Sequence, residues 1–134
     1  MNGPADMLAN DAASTALGIK ALDLSDGSAT LTMTVTDRMI NGHGIAHGGY
    51  VFLLADTAFA CACNRPGSVT VAAQAEIDFL VPVRLGDELV ATAVERVRRG
   101  RSGIYDITVR RGDEVVAEFR GRSRTLKDQA AGRD

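Results

Sequence analysis

The sequence is poor in several things that would have pointed to a function. It holds two cysteines, Cys61 and Cys63. Residues two apart on a helix project about 200° apart, so in that setting these thiols cannot join each other. They read as small packing residues in a reducing compartment. An excess of basic charge is missing too: the formal net charge is -2. That argues against nucleic acid as a partner, which needs phosphate-neutralising cations, and leaves room only for a local basic patch. No apolar run reaches the roughly 20 residues that a membrane span requires. The opening MNGPADMLANDAAS has no basic stretch followed by an apolar one. A cytoplasmic protein without a membrane partner is expected, and the sequence contains no internal repeat or low-complexity segment.

What is present is the composition of an ordinary globular chain, 46% hydrophobic and 24% charged over 134 residues. That length suits one domain with a real core, spanning 1–134. Residues 5–17 read as a modest helix stopped at Gly18. Ala29 to Val35, ATLTMTV, alternates like a half-buried strand. Tyr50 to Cys63, YVFLLADTAFACAC, is apolar on nearly every side and predicts an enclosed helix of about 14 residues, ended by Pro66-Gly67. Strand patterns follow around Val69 to Phe79, Leu89 to Ala93, Tyr105 to Val109 and Val115 to Phe119, with Gly112-Asp113 as the last hairpin turn. The expectation is one antiparallel meander curved around the helix, an α+β fold. Ala55, Ala58, Ala60 and Ala62 are small enough to let a sheet close tightly on the helix. The last residues, 127–134, are polar and read as a frayed tail.

Asp56 is the anomaly in the helical run. An unpaired buried charge costs several kcal/mol or more, so a carboxylate among small and apolar side chains calls for a reason. Eight residues before it lie His47, Gly48 and Gly49. Free amides at that helix end would receive an anion or a polarised carbonyl. An electrophile site and a lone acid thus share one element.

These residues carry a family resemblance. NGHGIAHGGYVFLLADTAFACACN, from Asn41 to Asn64, and IDFLVPVRLGDELVATA, from Ile77 to Ala93, resemble the hotdog-fold thioesterases, and within them the phenylacetic-acid-degradation PaaI group. NDAASTALGI and FRGRS support the likeness. The resemblance implies a hotdog fold, hydrolysis of aryl-acetyl or hydroxylated aryl-acetyl CoA thioesters, and no cofactor. It also implies homodimers with sites between subunits, which pair into homotetramers. Carried onto this chain, the acid is Asp56, the polarising amide is that of Gly48 or Gly49, and Asn41 and His47 are supporting polar residues. Some relatives place a serine or threonine on the strand after the helix to orient water. Here that stretch reads Ala72-Ala73-Gln74, leaving Gln74 as the substitute.

Spacing favours a shared site independently of the resemblance. Gly48 and Asp56, eight residues apart, stand about 12 Å apart along one helix, too far for one carbonyl to touch both. Two antiparallel helices would bring the Gly48 end of one beside the Asp56 of the other. Asp56 would then either attack the carbonyl or draw a proton from the attacking water. His47 is either a substrate contact or a structural residue bonded to a loop carbonyl. A metal held by His43 and His47 is not expected, since no third ligand is near in sequence.

For the CoA phosphates the candidates are Arg98, Arg99 and Arg101, together with Arg96, and behind them Arg84, Arg122 and Arg124. Each alone reads as a solvated strand end; the cluster gains weight in a mildly acidic chain. Tyr50, Phe52 and Leu53 are candidates for the acyl pocket, or else core or dimer contacts. The competing functions are a hotdog enoyl-CoA hydratase or dehydratase and a non-catalytic acyl-CoA-binding module. A pure binder gains nothing from a carboxylate beside an electrophilic carbonyl.

Overall fold

The first strand is one that apolar alternation does not reveal. β1 (Lys20–Ser25) is almost wholly exposed, and only the Asp26-Gly27 dipeptide after it signals a hairpin. Gly27 adopts φ 80°, as such a turn requires, and returns the chain into β2 (Ser28–Thr34). The computed structural model describes residues 3–127, so the expected tail lies outside the described residues from 128 onward.

Where one helix is expected over 5–17, two short ones form: α1 (Pro4–Ala9) and α2 (Ala12–Ala16). The break falls at Asn10-Asp11 because Asp11 is a helix N-cap, its carboxylate accepting the Ser14 N–H at 2.9 Å. The central helix α3 (Gly48–Cys63) begins two residues before the expected start and takes the glycine pair into its first turn. After it come β3 (Thr70–Phe79), β4 (Glu88–Arg99), β5 (Ser102–Arg111) and β6 (Glu114–Thr125).

All strand pairs are antiparallel, in the order β1-β2-β4-β5-β6-β3. This corrects the expected single meander, which holds only for β4 to β6. Those strands are joined by turns of two residues, whereas the eight residues between β3 and β4 are enough to carry the chain across. β3 therefore lies at the far edge, paired among the described residues with β6 alone. The sheet curves around α3, an α+β arrangement of the hotdog type that the resemblance implies.

Alternation explains which face curves inward. Leu31 and Met33 of β2, Leu89 and Ala91 of β4, Ile107 and Val109 of β5, and Ala117 and Phe119 of β6 are all buried against the helix. Each fully buried large apolar side chain contributes roughly 1.5–3 kcal/mol. Packing is tightest at Gly121 of β6, where an added Cβ would stand 2.7 Å from the Phe59 ring. Gly121→Ala is expected to lower stability by about 1–3 kcal/mol through overpacking. Urea titration would read this as a lower midpoint at unchanged slope; a wild-type midpoint would mean that Phe59 can move aside.

The C-terminal end of α3 is tied to three other elements. Asn64, 4% exposed, donates to the carbonyls of Ala60 at 2.9 Å and Thr70 at 3.0 Å, and its oxygen accepts the Thr70 N–H at 2.8 Å. Arg65 pairs with Asp26 at 2.6 Å and Glu95 at 2.9 Å, and the Tyr105 hydroxyl donates to the same Glu95 oxygen at 2.8 Å. Burial, and then the bond to Glu95, pushes that hydroxyl up to about 12. These bonds hold the C-terminal end of the helix in place within the chain itself.

Candidate active site

At the other end of α3 the backbone is left unpaired. His47, the N-cap residue, is extended at φ -63°, ψ 132°, and donates its N–H to the Met39 carbonyl at 2.7 Å. Its own carbonyl accepts from Tyr50 at 3.0 Å. Among the described residues, the Gly48 and Gly49 amides have no backbone acceptor and the His47 ring has no hydrogen-bond partner. Of the two readings of His47, the one that bonds its ring to a loop carbonyl has no such bond among the described residues. The preceding loop is held by Asn41, whose side-chain oxygen accepts from the His43 and Ile45 amides at 2.8 and 3.3 Å. This leaves the Asn41 amide nitrogen available as a donor.

Next to Gly48 lies an apolar cavity of about 230 Å³, lined by Ile45, Val51, Phe79, Val81, Val83 and Val116 among others. A Cβ at Gly48 would stand 3.0 Å from the Phe79 ring, so the ring and the bare backbone are close neighbours. Tyr50, Phe52 and Leu53 do not line this cavity within the chain. Phe52 turns to the core, edge-on to Phe119 with centroids 5.1 Å apart. The lining residues that sequence reasoning missed sit in FLVPV, 79–83, and on β6. Their signal was an apolar surplus continuing past the end of β3.

Asp56 sits two turns along α3 and is half-buried, with no hydrogen bond or ion pair to any described residue. Burial, and after it the negative charge of Asp11, raises its pKa above the ordinary carboxylate value. Burial likewise pushes the Cys61 thiol up to about 11 and that of Cys63 to about 12, so both stay protonated near neutrality. The expectation of a fully enclosed helix needs correction. The sheet covers most of α3, but Gly49, Leu53, Asp56 and Ala60 follow one another at spacings of four, three and four and form a stripe that is not buried.

β3 offers a second unpartnered surface. One of its sides is bonded to β6 and the other is open, with Val71 42% and Phe79 55% exposed. Gln74 lies on this strand, exposed, its amide 3.5 Å from Glu76.

The arginines divide. Arg98 and Arg99 at the end of β4, Arg101 in the following turn, and Arg122 and Arg124 on β6 gather at one end of the sheet, where Ser102 pairs with Arg124. That is the Arg65 end of α3, since Arg65 reaches Glu95. Arg84 belongs to the other end, in the turn closed by its N–H on Asp87 at 2.8 Å. β4 alone separates the two groups by roughly 36 Å, so one chain does not unite them. Arg96 is drawn to Asp106 at 3.4 Å on the outer face of the sheet. There a larger groove of about 530 Å³ is lined by charges of both signs, and Arg120 grips Asp106 at 2.6 and 2.8 Å. None of the expected catalytic residues reaches that groove. Among the described residues no group of three or more His, Cys, Asp or Glu side chains is placed to hold a metal ion, and no helix is long and apolar enough to cross a membrane.

Comparison with known proteins adds to this geometry. Residues 43–118 match the model of the thioesterase superfamily. The chain is 49% identical over 121 residues to the acyl-coenzyme A thioesterase PaaI of Escherichia coli, covering 90% of this chain and 86% of that protein. The solved structure of the E. coli PaaI protein from the phenylacetic acid degradation operon aligns with a TM-score of 0.89 at 46% identity, over 92% of this chain and 91% of that one. A protein from Thermus thermophilus aligns with a TM-score of 0.82 at 34% identity, over 87% of this chain and 99% of its own.

Proposed function

The chain belongs to the thioesterase superfamily, and on that footing we propose that it cleaves phenylacetyl-CoA or hydroxyphenylacetyl-CoA with water, giving the free acid and CoA, as a cytoplasmic homodimer with shared sites. That it is an acyl-CoA thioesterase follows from its kinship with E. coli PaaI. The observation that carries the finer reading is the pairing, on one helix, of Gly48 and Gly49 amides unpaired among the described residues, beside an apolar cavity, with a half-buried carboxylate that has no cation among those residues. A cavity of about 150 Å³ already holds benzene, so about 230 Å³ suits an aryl-acetyl group.

The thioester carbonyl oxygen accepts from the helix-end amides, with the Asn41 amide as a further donor. These bonds strengthen as negative charge develops on that oxygen. Asp56 of the second chain acts in one of two ways. It takes a proton from water as the water oxygen bonds to the carbonyl carbon, or it bonds to that carbon itself to give an anhydride that water then opens. In both, the C–S bond breaks and the CoA sulfur leaves as thiolate, which takes up the proton. Gln74 is the candidate for orienting the water.

The open α3 stripe and the free β3 edge support the dimer. Pairing two β3 edges antiparallel would continue the sheet and set the α3 helices side by side, head to tail. Each site would then receive Arg84 from the chain that gives Gly48, and Arg98, Arg99, Arg101 and Arg124 from the chain that gives Asp56. Cations from both chains would so flank the CoA phosphates. Single domains of 1–134 pair in this way, and two such dimers form the homotetramer.

Thiol release from a panel of acyl-CoA esters tests the reading. Aryl-acetyl esters should give the highest kcat/KM. Faster cleavage of linear acyl chains would overturn the substrate, and hydration of an enoyl-CoA without thiol release would overturn the reaction.

A further inference from the structure

α2 makes a polar contact with α3 that the reaction described above does not use. The Asp11 carboxylate accepts the Ser14 hydroxyl at 2.8 Å, and that oxygen lies 2.9 Å from the Thr57 hydroxyl, the residue after Asp56. Ser14 is 0% exposed and Thr57 6%. In a helix otherwise packed by apolar atoms, this is the one side-chain bridge from α2 to the Asp56 turn among the described residues. A cap of α2 alone needs only the Ser14 N–H on Asp11, which is already made.

We propose that Asp11 is a positioning residue for Asp56, fixing the Asp56–Thr57 turn through the Ser14 hydroxyl and placing a second negative charge beside the carboxylate. The inference rests on the reading of Asp56 as the catalytic acid. The chemical consequence is a carboxylate that is a stronger base than a lone surface aspartate, which suits proton abstraction from water.

Among the described residues no other charged group around Asp56 does this. α1 contributes Met7 and Leu8 to the core while its Asp6 is exposed, and the buried face of the sheet is apolar apart from Thr70, Ser123 and Tyr105, whose hydroxyl donates to Glu95. Glu76 and Asp78 of β3 face the outer groove. On α3 itself Cys63 is a protonated thiol. In the proposed shared site the second chain would add its His47 ring, which changes at Asp11 leave intact.

The experiment compares kcat/KM against pH for the full-length wild type, Asp11→Asn and Asp11→Ser, at low and high salt. Both replacements are good N-caps, so α2 keeps its cap without the charge, and either variant serves if the other folds poorly. The acid limb should move to lower pH in both, and by more at low salt, where the Asp11 charge is less screened. Ser14→Ala keeps the charge and cuts the bridge; kcat should fall by about 5-fold, the worth of one hydrogen bond, at unchanged KM. Acid limbs that coincide with the wild type at both salt levels, with only Tm lowered, would reduce Asp11 to a helix cap and overturn the proposal. Asp56→Asn run in parallel separates the two claims: its inactivity with unmoved Asp11 limbs removes this inference alone, whereas its retained turnover removes the catalytic reading of Asp56 beneath it.

Discussion

Asp56→Asn is expected to lower kcat by about 10³-fold or more while raising Tm. The loss follows from either role, since an amide neither attacks the carbonyl nor accepts a proton from water at neutral pH. The gain follows from linkage. The folded-state pKa of Asp56 is raised by burial and by Asp11. The folded protein therefore binds this proton more tightly than the unfolded chain does. Stability from this group is fully present below the unfolded pKa and is lost as pH rises through the folded one. At neutral pH the charged carboxylate weakens the fold, and the asparagine relieves it. The Tm difference should shrink as pH falls toward the ordinary aspartate range. Thiol-release kinetics and thermal melts at two pH values check both halves; wild-type-like kcat would remove Asp56 from the chemistry. In a single turnover in ¹⁸O-water, label inside the Asp56 carboxylate would establish the anhydride route, opened by water at the Asp56 carbon.

Two inactive variants, mixed, should regain activity. Gly48→Pro removes the helix-end N–H at the first helical position, where proline is well accepted. His47 already has the extended backbone that a residue before proline needs. Phe79 must yield slightly, since a Cβ at Gly48 meets its ring at 3.0 Å. The expected loss is about 10²- to 10³-fold, that of one oxyanion donor. A chain with Gly48→Pro keeps Asp56, and a chain with Asp56→Asn keeps Gly48. If each site takes one residue from each chain, a mixed dimer holds one intact site and one doubly defective site. Equal co-expression should then restore about a quarter of wild-type activity, because half the dimers are mixed and each has one good site of two. Sites complete within one chain would show no recovery. Retained activity in Gly48→Pro alone would move the polarising role to Gly49.

Much of the fold was legible because its signals are local. The apolar run of α3, the alternation in β2 and in β4 to β6, and the Gly112-Asp113 turn all depend on near neighbours in sequence. β1 escaped because a strand exposed on both faces carries no alternation, and its Asp26-Gly27 turn was the only trace. The place of β3 escaped for another reason. Its long apolar parity resembles that of a central strand, yet it lies at an edge with Val71 and Phe79 exposed. Sequence cannot tell a strand buried by its own chain from one whose apolar face waits for another.

The site divides in the same way. Asp56 stood out because a charge in an apolar helix is costly wherever the helix lies, and Gly48-Gly49 because bare backbone at a helix start leaves amides free. Those are properties of residue type and spacing, and the sequence by itself determined them, along with the family that its motifs resemble. Only the tertiary structure decided that α3 is open along the Gly49–Leu53–Asp56–Ala60 stripe, that Phe79 to Val83 wall the cavity at Gly48, and that Arg84 lies at the opposite end of the sheet from Arg98, Arg99, Arg101, Arg122 and Arg124. It also brought Asp11 to the Asp56 turn through Ser14 and Thr57. Each of these depends on strand order and helix packing between residues distant in the chain, which no local pattern encodes.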